Sequence, residues 1–140
     1  MSDIHTKKVR SYNMSKIRSK NTKPEIAVRK YLFSKGLRFR IHDKKLPGRP
    51  DIVLKKYKTV IFVQGCFWHY HQNCRYAAMP ASNQKYWEPK LLKNRDKDNY
   101  AFRQLKKMKW CVIAIWECQL KGEKKESSLL SLYSKITKPV

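Results

Sequence analysis

Two thiols, two imidazoles and a Phe-Trp pair fall within eleven residues, Gln64-Gly65-Cys66-Phe67-Trp68-His69-Tyr70-His71-Gln72-Asn73-Cys74. Thiolates and imidazoles are the usual ligands of zinc, and four protein ligands make a closed, structural site. Of the four cysteines, Cys111 lies in the apolar run Trp110-Cys111-Val112-Ile113 and is expected to be a small core residue. Cys66, Cys74 and Cys118 remain, and with His71 they form a Cys3His set. His69 could compete with His71 as the imidazole ligand. An imidazole titrates at about 6.5 in general, close enough to working pH for a histidine to serve as acid or base. His69 beside Trp68 could equally be a packed side chain.

Asp51 follows Pro50 and opens an apolar run, Ile52-Val53-Leu54. A carboxylate at a strand start, facing the elements that carry Gln64 and His69, can hold a hard cation such as Mg²⁺. That cation would stabilise charge on a scissile phosphate. The plainer reading is a turn-forming Asp after a proline. Phe67 and Trp68 have two readings as well, as core residues or as rings presented to a partner by a constrained loop.

These residues need elements to position them. Thr22 and Glu25 have capping-box spacing, Pro24 suits a first turn and Gly36 provides a stop, which predicts a helix over Lys23–Ser34. Its inward face is expected to be Ile26, Ala27, Val28, Tyr31 and Leu32. Leu37, Phe39 and Ile41 alternate with polar residues, as in a half-buried strand. After the breakers Pro47-Gly48-Arg49-Pro50 come a strand opening at Asp51 and a buried strand over Thr59–Val63. A loop is expected through about Asn83, then a long helix from Tyr86 or Trp87 to Met108 carrying Leu91, Leu92, Phe102 and Leu105. A buried strand, Val112–Trp116, and a closing helix, Ser127–Ile136, complete one compact α/β domain.

The charge is extreme. Thirty-three Lys and Arg face 10 Asp and Glu, a net charge of +23, and the sequence pI is about 10.1. Such a balance in 140 residues points to a polyanionic partner, DNA or RNA. An acidic membrane surface is the alternative, but no apolar run approaches the length of a membrane-spanning helix and no strongly amphipathic basic helix stands alone. The first residues carry no signal-peptide core, so a cytosolic protein is expected. Residues 1–22 form a basic arm suited to phosphate contact, and 23–140 the domain proper.

Several of these features occur together in one known group. Arg10-Ser11-Tyr12-Asn13-Met14, Leu46-Pro47-Gly48-Arg49-Pro50-Asp51, Gly65-Cys66-Phe67-Trp68-His69, Lys93-Asn94 with Arg95 and Asp98, and Trp116-Glu117-Cys118 resemble the very short patch repair (Vsr) mismatch endonucleases. That family has the PD-(D/E)xK nuclease core, and the resemblance spans about residues 5–120. It implies a restriction-endonuclease-like domain, a central mixed β-sheet flanked by helices, with a structural zinc. Asp51 and the backbone carbonyl of Val63 would hold the catalytic Mg²⁺, and His69, oriented by Asp98, would move the proton. Glu25 would join the water shell around the metal, although its capping-box spacing also suits a purely local role. Asp98 could otherwise be a solvated ion-pair residue; Asp96, two positions away on a helix, cannot share its direction. Cys66, His71, Cys74 and Cys118 would hold zinc. Phe67 and Trp68, helped by Trp87, would wedge into the stack, with Asn13, Met14, Arg49 and Asn94 as further DNA contacts.

One departure stands out. The family commonly has Thr-His before Gly-Cys, where this chain has Val63-Gln64. A backbone carbonyl is indifferent to the first change. The second matters more, because Gln64 can donate a hydrogen bond but cannot transfer a proton. Nicking of one strand at a T:G mismatch is the leading expectation. The alternatives are a restriction-type or nicking endonuclease on paired duplex DNA, and a zinc-stapled DNA-binding module that does not cut. The resemblance further implies a monomer, mismatch-repair proteins as partners, and a companion DNA cytosine methyltransferase.

Overall fold

The computed structural model describes residues 21–71, 74 and 84–138. Most of the expected basic arm, with Asn13 and Met14, and the loop expected to end near Asn83 lie outside the described residues. Helix α1 spans Lys23–Ser34, with Thr22 Oγ1 accepting from the Glu25 N–H at 3.4 Å. Strands β1 (Arg40–Ile41), β2 (Ile52–Leu54) and β3 (Thr59–Gln64) follow, with a 3₁₀ turn at Lys55–Tyr57. Helix α2 (Gln84–Lys107), strand β4 (Cys111–Trp116), a second 3₁₀ turn (Glu117–Leu120) and helix α3 (Lys124–Thr137) complete the described elements. The order of helix, three strands, long helix, strand and helix is the expected one.

The sheet runs β1-β2-β3-β4, antiparallel across the first two pairs and parallel between β3 and β4. A parallel pair requires a long crossover, and α2 provides it. Every residue of β3 is buried, as a central strand covered on both faces must be. Side chains alternate across a strand, so the core divides in two. Ile52, Leu54, Ile61, Val63, Ile113 and Ile115 pack with Val28 and Leu32 of α1 and with Leu129, Leu132 and Ile136 of α3. Val53, Val60 and Phe62 pack with Leu105 and Phe102 of α2 on the other face. No helix among the described residues is long and apolar enough to cross a membrane.

Three expectations need correction. The first strand is only two residues long, because its partner β2 has just three pairable residues after the Pro47–Pro50 breakers. The inward face of α1 is Glu25, Val28 and Leu32, and Ile26 is exposed. Cys111 is exposed. It shares a face with Ile113 and Ile115, but it is the first residue of an edge strand, beyond the reach of the helical cover.

Candidate active site and metal centre

Because β2 and β3 are antiparallel, the start of one adjoins the end of the other, and this junction organises the site. The Val63 N–H donates to Asp51 Oδ2 at 2.7 Å. Extending the Ile52↔Ile61 register by two residues sets Pro50 opposite Val63. Within a strand, the N–H and C=O of one residue point to the same edge, so the Val63 carbonyl faces this junction as well. Pro50 has no N–H to offer it.

A cavity of about 290 Å³ opens beside the junction, lined by Asp51, Val63, Gln64, His69, Asp98 and Arg49 among others. Burial, followed by the nearby charge of Glu25, pushes the Asp51 carboxyl up to about 7. The Val63 N–H, His42 and His69 pull the other way without cancelling that rise. The ligand atoms of Glu25, His42 and Asp51 all lie within 4.8 Å of one another.

Helix α2 supplies the other wall. Leu91, Ala101 and Leu105 are its buried residues, and Asn94 and Asp98 share that inner face at helical spacing. Asp98 Oδ2 meets His69 Nδ1 at 2.5 Å, whereas Asp96 is exposed. Asn94 Nδ2 donates to the Trp68 carbonyl at 3.1 Å. Gln64 is 3% exposed, and its Nε2 has no hydrogen-bond partner among the described residues.

The loop after β3 folds into a tight turn. The His69 N–H donates to the Gly65 carbonyl at 3.2 Å, and the His71 N–H to the Cys66 carbonyl at 2.9 Å. The Cys66 N–H donates to Glu117 Oε1 at 3.1 Å, tying the loop to the end of β4. Cys66, His71, Cys74 and Cys118 converge, with ligand atoms all within 4.8 Å of one another. Cys118 Sγ lies 3.6 Å from His71 Nδ1. A tetrahedral zinc with ordinary Zn–S and Zn–N bonds separates such a pair by about 3.6 Å, so these side chains fit the ion. Burial pushes the Cys66 thiol up to about 12 and lowers the His71 pKa. The His71 ring also stacks on Trp116, 3.9 Å between centroids and 5° from parallel.

On the outside of this loop Phe67, Trp68 and Trp87 form a closed trio. Their centroids are 5.1, 5.4 and 5.7 Å apart, each pair edge-to-face. All three are half-buried, so none belongs wholly to the core. Lys90 Nζ sits 5.6 Å from the Trp87 centroid.

The fold therefore brings Asp51, Glu25, Gln64, His69 and Asp98 to one end of the sheet, with the four zinc-type ligands and the aromatic trio alongside. Arg49 lines the cavity with a positive φ of 49°. Sequence reasoning missed Arg29, His42 and Glu117. For Glu117 the one available signal is a polar residue between Trp116 and Cys118. His42 was one polar residue in an alternating run, and Arg29 one exposed-type position on a helix.

A family profile described as DNA mismatch endonuclease Vsr matches residues 2–75. The chain is 49% identical over 123 residues to the type II nicking enzyme V.NmeAIP of Neisseria meningitidis, covering 88% of this chain and 87% of that one. It is 47% identical over 120 residues to the type II nicking enzyme V.XorIIP of Xanthomonas oryzae, covering 86% and 88%. Against the DNA mismatch endonuclease Vsr of Escherichia coli it is 41% identical over 125 residues, covering 89% and 80%. With the carboxylate junction, the histidine and its aspartate in place, the chain belongs to the Vsr family of DNA endonucleases, within the PD-(D/E)xK nuclease superfamily.

Proposed function

We propose that this endonuclease nicks one strand of duplex DNA at a T:G mismatch, using Mg²⁺ at Asp51 and a structural zinc. The carrying observation is the convergence of Asp51, Val63 and the His69–Asp98 pair on one cavity beside a half-buried aromatic trio. The donor set suits a hard cation, a carboxylate with a backbone carbonyl that Pro50 leaves unpaired. Such a cation neutralises charge developing on the scissile phosphate. Asp98 accepts from Nδ1 of His69, which leaves Nε2 as the nitrogen that takes or gives a proton. Gln64, with its unpartnered amide, donates a hydrogen bond to phosphate or solvent in the cavity.

Phe67, Trp68 and Trp87 enter the stack, where unstacking costs a few kcal/mol and least at a weakened pair. That difference selects a mismatch without extensive base reading. Arg49 and Asn94 complete the contacts, Asn94 by holding the Trp68 backbone. Cys66, His71, Cys74 and Cys118 hold the loop through zinc, and one equivalent per chain is the expected content. The protein works in the cytoplasm, as a monomer suited to single-strand nicking.

The two relatives at 49% and 47% identity are named as nicking enzymes with no mention of a mismatch, and nicking of correctly paired DNA is the second reading. Duplexes identical except for T:G or T:A at one position, assayed with Mg²⁺ and with chelator, separate the two. Cutting confined to T:G and to Mg²⁺ supports the proposal, and equal cutting of both duplexes overturns it in favour of the second. The His69→Ala chain is expected to bind DNA and lose nicking by about 10²–10⁴-fold.

A further inference from the structure

The Glu25 carboxylate is 1% exposed, and three donors converge on a single one of its oxygens. Oε2 accepts from the Asn21 N–H at 3.1 Å, Arg29 Nη2 at 2.7 Å and His42 Nε2 at 2.9 Å. None of the hydrogen bonds found among the described residues falls on Oε1. Arg29 is four residues along α1 from Glu25, but this is no surface ion pair, since both partners are largely shielded.

His42 is the more unusual member. Its backbone sits at φ 50°, the left-handed region that non-glycine residues rarely occupy. From there its N–H donates to the Asp51 carbonyl at 3.2 Å while its ring reaches Glu25. One residue thus ties the backbone of one acid to the side chain of the other.

We infer that Arg29 and His42 are positioning residues for the divalent-cation site: they pin Glu25 through Oε2, offset its charge, and hold it beside Asp51 so that the cation meets two acids at a fixed spacing. Removing a partner of this kind typically costs about 10–100-fold in metal affinity. The inference rests on the Mg²⁺ site proposed at Asp51 and on the role that the family resemblance implies for Glu25, in the water shell around the metal. Direct ligation by His42 fits less well. A nitrogen donating its proton to Glu25 has no lone pair to give, and the Arg29 guanidinium lies 3.2 Å from that nitrogen.

The test uses full-length chains carrying Glu25→Gln, Arg29→Met, His42→Leu and His42→Gln. Mn²⁺ binding is followed by electron paramagnetic resonance, and the Mg²⁺ dependence of single-turnover nicking is measured in parallel. Duplex affinity in chelator and near-ultraviolet circular dichroism monitor folding. His42→Leu and Arg29→Met are expected to weaken Mn²⁺ binding by about 10–100-fold, and to raise the Mg²⁺ needed for half-maximal rate similarly. Duplex affinity should hold. His42→Gln should recover most of the loss. Leu and Gln bear the same backbone strain, so their difference isolates the donated hydrogen bond, whatever Arg29→Met does to folding. A His42→Leu chain that binds Mn²⁺ like the parent, or a Gln variant no better than Leu, overturns the inference. If Glu25→Gln itself leaves Mn²⁺ binding unchanged, the underlying reading of Glu25 fails instead.

Discussion

Asp51 is the residue whose chemistry is most altered by its surroundings. Its carboxyl is raised to about 7 by burial and by the charge of Glu25. The native state therefore holds a proton between about pH 4 and pH 7 that the unfolded chain has released. This group stabilises the metal-free protein at low pH, and that contribution is lost as pH rises through the folded value. Cation binding requires the carboxylate and works against the proton. The gain in thermal midpoint on adding Mg²⁺ is thus expected to be larger at pH 8 than at pH 6. A gain that is flat or larger at pH 6 would place the cation elsewhere. Asp51 itself was legible from Pro50-Asp51 before an apolar run. The pairing of Glu25 with His42 was not, because it joins positions 17 residues apart, and no periodicity encodes that proximity.

At the scale of elements, the sequence carries local signals and leaves strand pairing to the fold. The bounds of α1 followed from Thr22, Pro24 and Gly36, because capping is a matter of a few adjacent residues. Alternation in Leu37, Phe39 and Ile41 reported which side chains face inward, but strand length depends on how much partner β2 offers. Asn94 and Asp98 stand in a charge-rich stretch whose own composition suggests a solvated face; only the family resemblance singled them out, and their partners lie in distant segments. The turn before β2 is packed tightly against that helix. Gly48 has φ +75°, and a Cβ there would lie 2.7 Å from Ala101 Cβ and 3.2 Å from the Phe62 ring. Gly48→Ala is expected to cost about 2–4 kcal/mol, combining overpacking with left-handed backbone strain. Chemical denaturation measures this, and a loss under about 1 kcal/mol would show that the turn simply moves aside.

For the molecule as a whole, the net charge of +23 governs how it meets its substrate. Each phosphate neutralised contributes about −0.9 to the slope of log affinity against log salt concentration. With six to ten such contacts, duplex affinity should fall by about 10³–10⁵ between 50 and 200 mM salt, as fluorescence anisotropy would record. A nearly flat response would mean that the aromatic trio, and not charge, supplies the affinity. This charge was plain from composition alone. The meeting of the site at one end of the sheet required the fold.

The separations spanned by the site carry a consequence for the growing chain. Asp51 reaches Val63 across 12 positions, His69 reaches Asp98 across 29, and Cys66 reaches Glu117 across 51. A ribosome releases these partners in that order, so the acid junction can form first and the anchor of the aromatic loop last. Distant contacts also close more slowly. A chain that ends before residue 98 lacks the partner of His69, and one that ends before residue 117 lacks the anchor of the aromatic loop, so the complete site needs almost the whole domain.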